Sequence, residues 1–118
     1  MSVTSYKDLV VWQKSFLLTK EIYRLTRSLP PAERFGLSSQ IQRCAVSIPS
    51  NIAEGQQRHN AKEYRQFIGI ARGSTGELET QLLLVREIYN LDIEQPLSLL
   101  AEVQKMLHAL AKKLEPSP

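Results

Sequence analysis

Residues 36–55 read Gly-Leu-Ser-Ser-Gln-Ile-Gln-Arg-Cys-Ala-Val-Ser-Ile-Pro-Ser-Asn-Ile-Ala-Glu-Gly, and their spacing decides the fold class. Ile41, Ala45, Ile48 and Ile52 recur at three- and four-residue intervals, the pattern of one buried helix face. Pro49 sits inside that stripe, where it removes a backbone donor and crowds the carbonyl four residues earlier. A proline in a helix interior costs about 3 kcal/mol, so the helix is expected to bend or break there. Beside the apolar stripe runs a polar file at the same spacing: Gln40, Arg43, Ser47, Asn51, Glu54 and Arg58. One side of the segment is built for burial and the other for polar contacts.

The rest of the chain continues in the same period. No period-two run is bounded by turn residues and no Asn-Gly hairpin occurs, so strands are not expected. Helices are predicted over about 6–28, 38–58, 61–90 and 94–114. The first ends before Leu29-Pro30-Pro31, because a residue preceding proline is pushed out of the helical region. Asn60 and Glu63 form a capping pattern at the start of the third. Pro96 falls in the first turn of the fourth, where it does no harm. The chain reads as all-α, one domain over 1–118, an antiparallel four-helix bundle.

Two helices carry more apolar surface than one bundle face needs. In the first, Leu9, Trp12, Phe16 and Tyr23 share one arc, while Val11, Leu18, Ile22, Leu25 and Leu29 share another. In the third, Tyr64, Phe67, Ile68, Ala71, Thr75, Leu78, Leu82, Val85 and Tyr89 make one stripe, and Ile70, Leu84, Ile88 and Leu91 extend it sideways. In so small a protein a second copy of the chain is the natural cover, so a homo-oligomer is expected. Gly69, Gly73 and Gly76 weaken the third helix by about 1 kcal/mol each. Their expected use is close approach by a neighbouring helix or chain. They are no phosphate loop, since no strand precedes them and no Gly-Lys-Ser/Thr follows.

Candidate catalytic groups are few. The single cysteine, Cys44, allows no internal disulfide or thiolate cluster and reads as a small core residue. Neither His59 nor His108 has the Glu-x-x-His spacing of bundle metal sites. No Gly-x-Ser-x-Gly elbow occurs. The reading expects no catalytic residues, no metal and no cofactor. It also expects a cytoplasmic protein with no membrane partner, since the amino terminus lacks a basic-then-apolar leader and no apolar run approaches the ~20 residues of a span. A weaker alternative, a hydrolase centred on Glu54, Asn51 and Arg43, has no activating histidine to support it.

Charge points elsewhere. Fifteen basic residues against 12 acidic ones give a formal +3, so distribution matters more than the total. Lys20, Arg24 and Arg27 share one side of the first helix, with Lys14 nearby, and are the candidate nucleic-acid contacts. No aromatic interleaves with them strongly enough to suggest base stacking, so binding to RNA or DNA is expected to be sequence-tolerant and salt-sensitive. Arg65, Arg72, Glu79 and Arg86 recur every seven residues on the third helix, and would pair best with a neighbouring helix or subunit. A protein-interaction scaffold with a protein client and no nucleic-acid role is the competing expectation.

The run Ser47 to Gly55, with Gln40, Ile41, Arg43 and Ala45 before it, resembles the signature of the four-helix-bundle proteins encoded by intervening sequences within 23S rRNA genes. Tyr6-Lys7-Asp8-Leu9, Val11-Trp12, Arg58 and the block Ala71 to Gln81 match as well, and the resemblance weakens after about Asp92. Gln42-Arg43-Cys44 departs from the two basic residues and Ala usual there, and Gly76 replaces a larger residue. The resemblance implies assembly as a barrel-like homopentamer. It also implies kinship with accessory proteins of diversity-generating retroelements, which associate with nucleic acid and a reverse transcriptase. Five copies would raise the formal charge to about +15.

Overall fold

The computed structural model describes residues 5–116, and every regular element among them is helical. A 3₁₀ turn (Tyr6–Asp8) precedes α1 (Val10–Thr26), a second (Pro31–Glu33) precedes α2 (Leu37–Gln56), and α3 (Ala61–Tyr89) and α4 (Glu94–Lys113) follow. The predicted first helix thus divides near its start. Leu9 is extended, with φ −76° and ψ 126°, and the preceding turn is held by Ser5 Oγ accepting the Lys7 N–H.

The ends of α3 follow its capping chemistry. Asn60 Oδ1 accepts the Glu63 N–H at 2.9 Å, and Asn90 closes the helix in the left-handed region at φ 54°. At ~1.5 Å per residue, this longest helix sets the 48 Å long axis of the molecule. Asp92 Oδ1 accepts the Glu94 N–H to start α4.

Polar contacts fix the register and show that neighbouring helices run antiparallel. Thr19 and Thr26 of α1 meet Ala45 and Gln42 of α2. Cys44 meets Ser74 of α3, while Gly55 lies against Tyr64 and Phe67. Arg65, Arg72 and Glu79 meet Leu114, His108 and Gln104 at the α4 side. Each helix touches two neighbours, α1 and α3 standing diagonally apart. Leu18, Ile22, Ile41, Ile48, Ile52, Ile68, Leu78, Leu82, Leu100 and Leu107 fill the centre and are fully buried.

Of the two outcomes expected at Pro49, a bend or a break, the break does not occur: α2 runs through it as one helix. Proline withholds the N–H that would bond Ala45 O, and Thr19 Oγ1 lies 3.2 Å from that oxygen. The same hydroxyl is 2.9 Å from Ser15 O, which Thr19's own N–H position already serves in the helix ladder. A donor from α1 thus takes the place of the missing one, so the helix continues and the orphaned carbonyl is satisfied.

Within the protomer, close approach of a neighbouring helix occurs at Gly55 and not at Gly69, Gly73 or Gly76. A Cβ there would lie 2.9 Å from Phe67 Cβ and 2.9 Å from Tyr64 Cδ1, whereas at the other three glycines it would meet nothing within 4 Å. Among the described residues no helix packs on those three, which leaves a neighbouring chain as the other partner expected for them.

Candidate nucleic-acid interface and the polar cleft

The carboxyl-terminal half of α1 presents the basic edge. Lys20, Arg24 and Arg27 line one shallow groove together with Thr19 and Tyr23. Arg24 bonds Glu21 at 2.7 Å, one turn away, whereas Lys20 and Arg27 enter no ion pair among the described residues. An exposed pair of that kind holds its partners loosely, so Arg24 keeps most of its capacity to bind an anion. Lys14 does not join them: it pairs with Glu102 of α4 at 3.3 Å.

Two features of this edge were not legible in the sequence. Arg27 and Tyr23 also line the adjoining groove, which reaches Arg34 beyond the Pro30-Pro31 corner. Four cations therefore follow one path across two grooves. Tyr23, 43% exposed, lines both grooves among these cations. Phe35 is 88% exposed at the far end, with the Arg34 guanidinium 5.3 Å from its ring centre. The chain fold brings α1 and the corner together, and no spacing rule links positions 23 and 34.

The polar file of α2 divides in two. Its lower half is closed by internal contacts: Asn51 Nδ2 donates to Ser47 O at 2.7 Å, and Arg58 pairs with Glu54 at 2.9 Å while lying 4.6 Å over the Phe67 ring. These bonds occupy the very residues of the weak hydrolase reading, Asn51 and Glu54. Its upper half opens on a cleft of about 370 Å³ between α2 and α3, lined by Gln40, Arg43, Cys44, Ser47, Glu77 and Gln81. Ser47 Oγ is 2.7 Å from Cys44 O and 2.7 Å from Ser74 Oγ, which ties the cleft floor across the two helices. Burial, then a hydrogen bond to Glu77 and its charge, push the Cys44 thiol up to about 12. At neutral pH it is a protonated donor, its Sγ 3.1 Å from Ser74 O, and a poor nucleophile.

The seven-residue file on α3 belongs to the α4 seam. Arg65 Nη1 donates to Leu114 O at 2.9 Å, covering a carbonyl at the end of α4, and Arg72 Nη2 is 3.2 Å from His108 Nδ1. Gln104 Nε2 donates to Glu79 Oε1 at 3.1 Å. Only Arg86 turns elsewhere, to Glu87. A neighbouring helix, one of the two partners expected for this file, takes three of its four members.

Apolar surface remains exposed on two different sides. A groove along the α1–α2 seam is lined by Tyr6, Trp12, Phe16, Val46, Pro49 and Ala53, with Phe16 49% exposed. On α3, Ile70, Leu84 and Ile88 are exposed as well. Among the described residues no helix is long and apolar enough to cross a membrane.

No curated protein matches the chain. The family model described as 23S rRNA-intervening sequence protein matches residues 7–112, and the chain belongs to that family.

Proposed function

We propose that this protein is a non-enzymatic, self-assembling helical bundle that binds RNA or DNA through the phosphate backbone, serving as an adaptor. The observation that carries the reading is the path of Lys20, Arg24, Arg27 and Arg34 along two adjoining grooves, with Tyr23 exposed between them. Cations spaced along a groove neutralise successive phosphates and release their counterions. A tyrosine within the path offers a ring for base stacking without sequence preference.

Self-assembly rests on the two non-equivalent apolar surfaces, one on the α1–α2 seam and one on α3. A contact between unlike patches is head-to-tail, and such contacts close into a ring when the rotation between copies divides a full turn and otherwise run on as a filament. The barrel-like homopentamer implied by the family resemblance is a ring of this kind, and symmetry would repeat the basic path around it.

Size-exclusion chromatography with light scattering tests both parts, with and without a labelled single-stranded RNA at low salt. The expected result is a particle of about five chain masses that takes up the RNA. A monomer would overturn the assembly, and an oligomer that ignores RNA would shift the reading to a protein-interaction scaffold.

A further inference from the structure

We infer that the groove at the Pro30-Pro31 corner is a seat for a phosphate monoester, the phosphorylated end of a strand lying on the basic path. The groove encloses about 430 Å³, and Arg27 of α1, Arg34 of the corner and Ser38 of α2 line it with no acidic residue among its walls. Ser38 is 8% exposed, and its hydroxyl makes no hydrogen bond among the described residues. That oxygen is not sealed, because Gln81 Oε1 is the one sealed side-chain atom without a partner among those residues. The little of Ser38 that stays open therefore includes Oγ, at the wall of the groove. The start of α2 is open as well. Glu33 Oε1 takes the Leu37 N–H at 3.1 Å and Gly36 O takes the Gln40 N–H at 3.1 Å, while the N–H groups of Ser38 and Ser39 between them have no acceptor among the described residues. Such groups point back along the axis toward the helix start, where the dipole adds roughly half a positive charge.

Charge and donor supply select the ligand chemistry. Arg27 and Arg34 enter no ion pair among the described residues, and a guanidinium only donates. The nearby carboxylate of Glu33 is engaged on both oxygens, by the Leu37 N–H and the Tyr89 hydroxyl, and lies outside the lining. A backbone diester brings two free oxygens and a single negative charge. A terminal monoester brings three oxygens and a charge of about −1.5 to −2, and so has an acceptor for the hydroxyl, for the helix start and for a guanidinium. Lys20 and Arg24, in the adjoining groove, stand at no helix start and suit diesters as single side chains. Gln42 Nε2 donates to Thr26 Oγ1 at 2.9 Å, and that hydroxyl donates to Tyr23 O at 3.0 Å, which ties the α2 wall to the α1 wall.

A free phosphate monoester carries the same chemistry as a strand end. The strand end rests on the nucleic-acid reading above, and is favoured because Tyr23 and Arg27 line both this groove and the one that holds Lys20 and Arg24. Three single-stranded RNAs of one sequence, about ten nucleotides long, are titrated into the full chain, ending in a 5′-phosphate, a 3′-phosphate or hydroxyls only. One phosphorylated form is expected to bind about tenfold tighter than the hydroxyl-ended strand. Ser38→Ala should remove most of that preference while leaving hydroxyl-ended binding and the melting temperature unchanged, since the hydroxyl bonds nothing within the fold. Inorganic phosphate, followed by the backbone amide resonances of residues 38 and 39, tests the seat without RNA and should shift both saturably. Equal affinity for the three RNAs, with phosphate leaving both resonances in place, would overturn the seat. An end preference undiminished in Ser38→Ala would overturn its location. Saturable phosphate shifts without any preference for a phosphorylated end assign the seat to a free monoester. Binding of the hydroxyl-ended strand reports on the backbone reading separately, so either can fail alone.

Discussion

Thr19→Val tests whether a hydroxyl from α1 is what allows Pro49 inside an unbroken helix. The substitution keeps the side-chain shape and removes the donor 3.2 Å from Ala45 O. Ala45 is fully buried, so water cannot replace that donor. A net hydrogen bond is worth about 1 kcal/mol, and leaving a buried acceptor bare raises the loss to about 1–3 kcal/mol. The informative comparison is with Pro49→Ala, which restores the N–H four residues after Ala45. In that background the carbonyl has its ordinary partner, and Thr19→Val should cost less than about 0.5 kcal/mol, giving a coupling of about 1–2 kcal/mol. Urea denaturation followed by helical circular dichroism reads this as a midpoint shift on the order of 1 M in the single variant, with the slope unchanged. All variants are compared at one protein concentration, because assembly makes apparent stability concentration-dependent. Equal costs in both backgrounds would refute the reasoning, since Thr19 would then stabilise the fold by some route independent of the proline.

Gly55→Ala should destabilise by about 1–3 kcal/mol despite its better helix propensity, because the new methyl meets Tyr64 and Phe67 at 2.9 Å. Gly73→Ala meets nothing within the protomer and should raise thermal stability by about 0.5–1 kcal/mol; loss of the oligomer in that variant would mean that a second chain packs on this glycine. Glu33 has its carboxyl held below the ordinary 4.5 by the Tyr89 hydroxyl and then by the Leu37 N–H. Its contribution is therefore complete above pH 4.5 and lost as pH falls through the lower folded value, so acidification should lower the melting temperature more for the wild type than for Glu33→Gln. Cys44, raised to about 12, should resist a thiol reagent at pH 8 in the folded protein and react promptly in denaturant; rapid modification of the native state would contradict its placement.

The helices were legible because their apolar spacing is strong and their ends carry explicit chemistry. Asn60 capped α3 as its side chain predicts, and Ile41, Ala45, Ile48 and Ile52 were all fully buried. A break at Pro49 was one of the two outcomes expected because a local rule describes a lone helix, whereas the donor facing Ala45 O comes from Thr19, twenty-six residues before Ala45. The close approach within the protomer was not legible at Gly55 for a related reason: sequence reveals that a side chain is missing, but only the packing of α2 against α3 reveals which absence is filled. Part of the basic edge was readable from Lys20, Arg24 and Arg27, which share a helical face. Arg34 joined it through the Pro30-Pro31 corner, and Lys14 left it for Glu102 of α4. The cleft was half visible, since Gln40, Arg43 and Ser47 stood out as a file on one helix. Glu77 and Gln81 stood one turn apart on α3, the only local signal of the opposite wall, and their meaning depended on the register of the two helices.

The most direct test of the central claim is the salt dependence of binding to a single-stranded RNA, measured in parallel for the wild type and for the Lys20→Glu, Arg24→Glu, Arg27→Glu triple variant. For single strands the logarithm of the binding constant falls with slope about −0.7 per phosphate neutralised, so three or four engaged cations in one protomer predict a slope of roughly −2 to −3. The account predicts that slope or a steeper one in the assembled wild type, and a flattened slope with binding largely lost in the variant. A slope near zero, or a variant that binds as the wild type does, would contradict it.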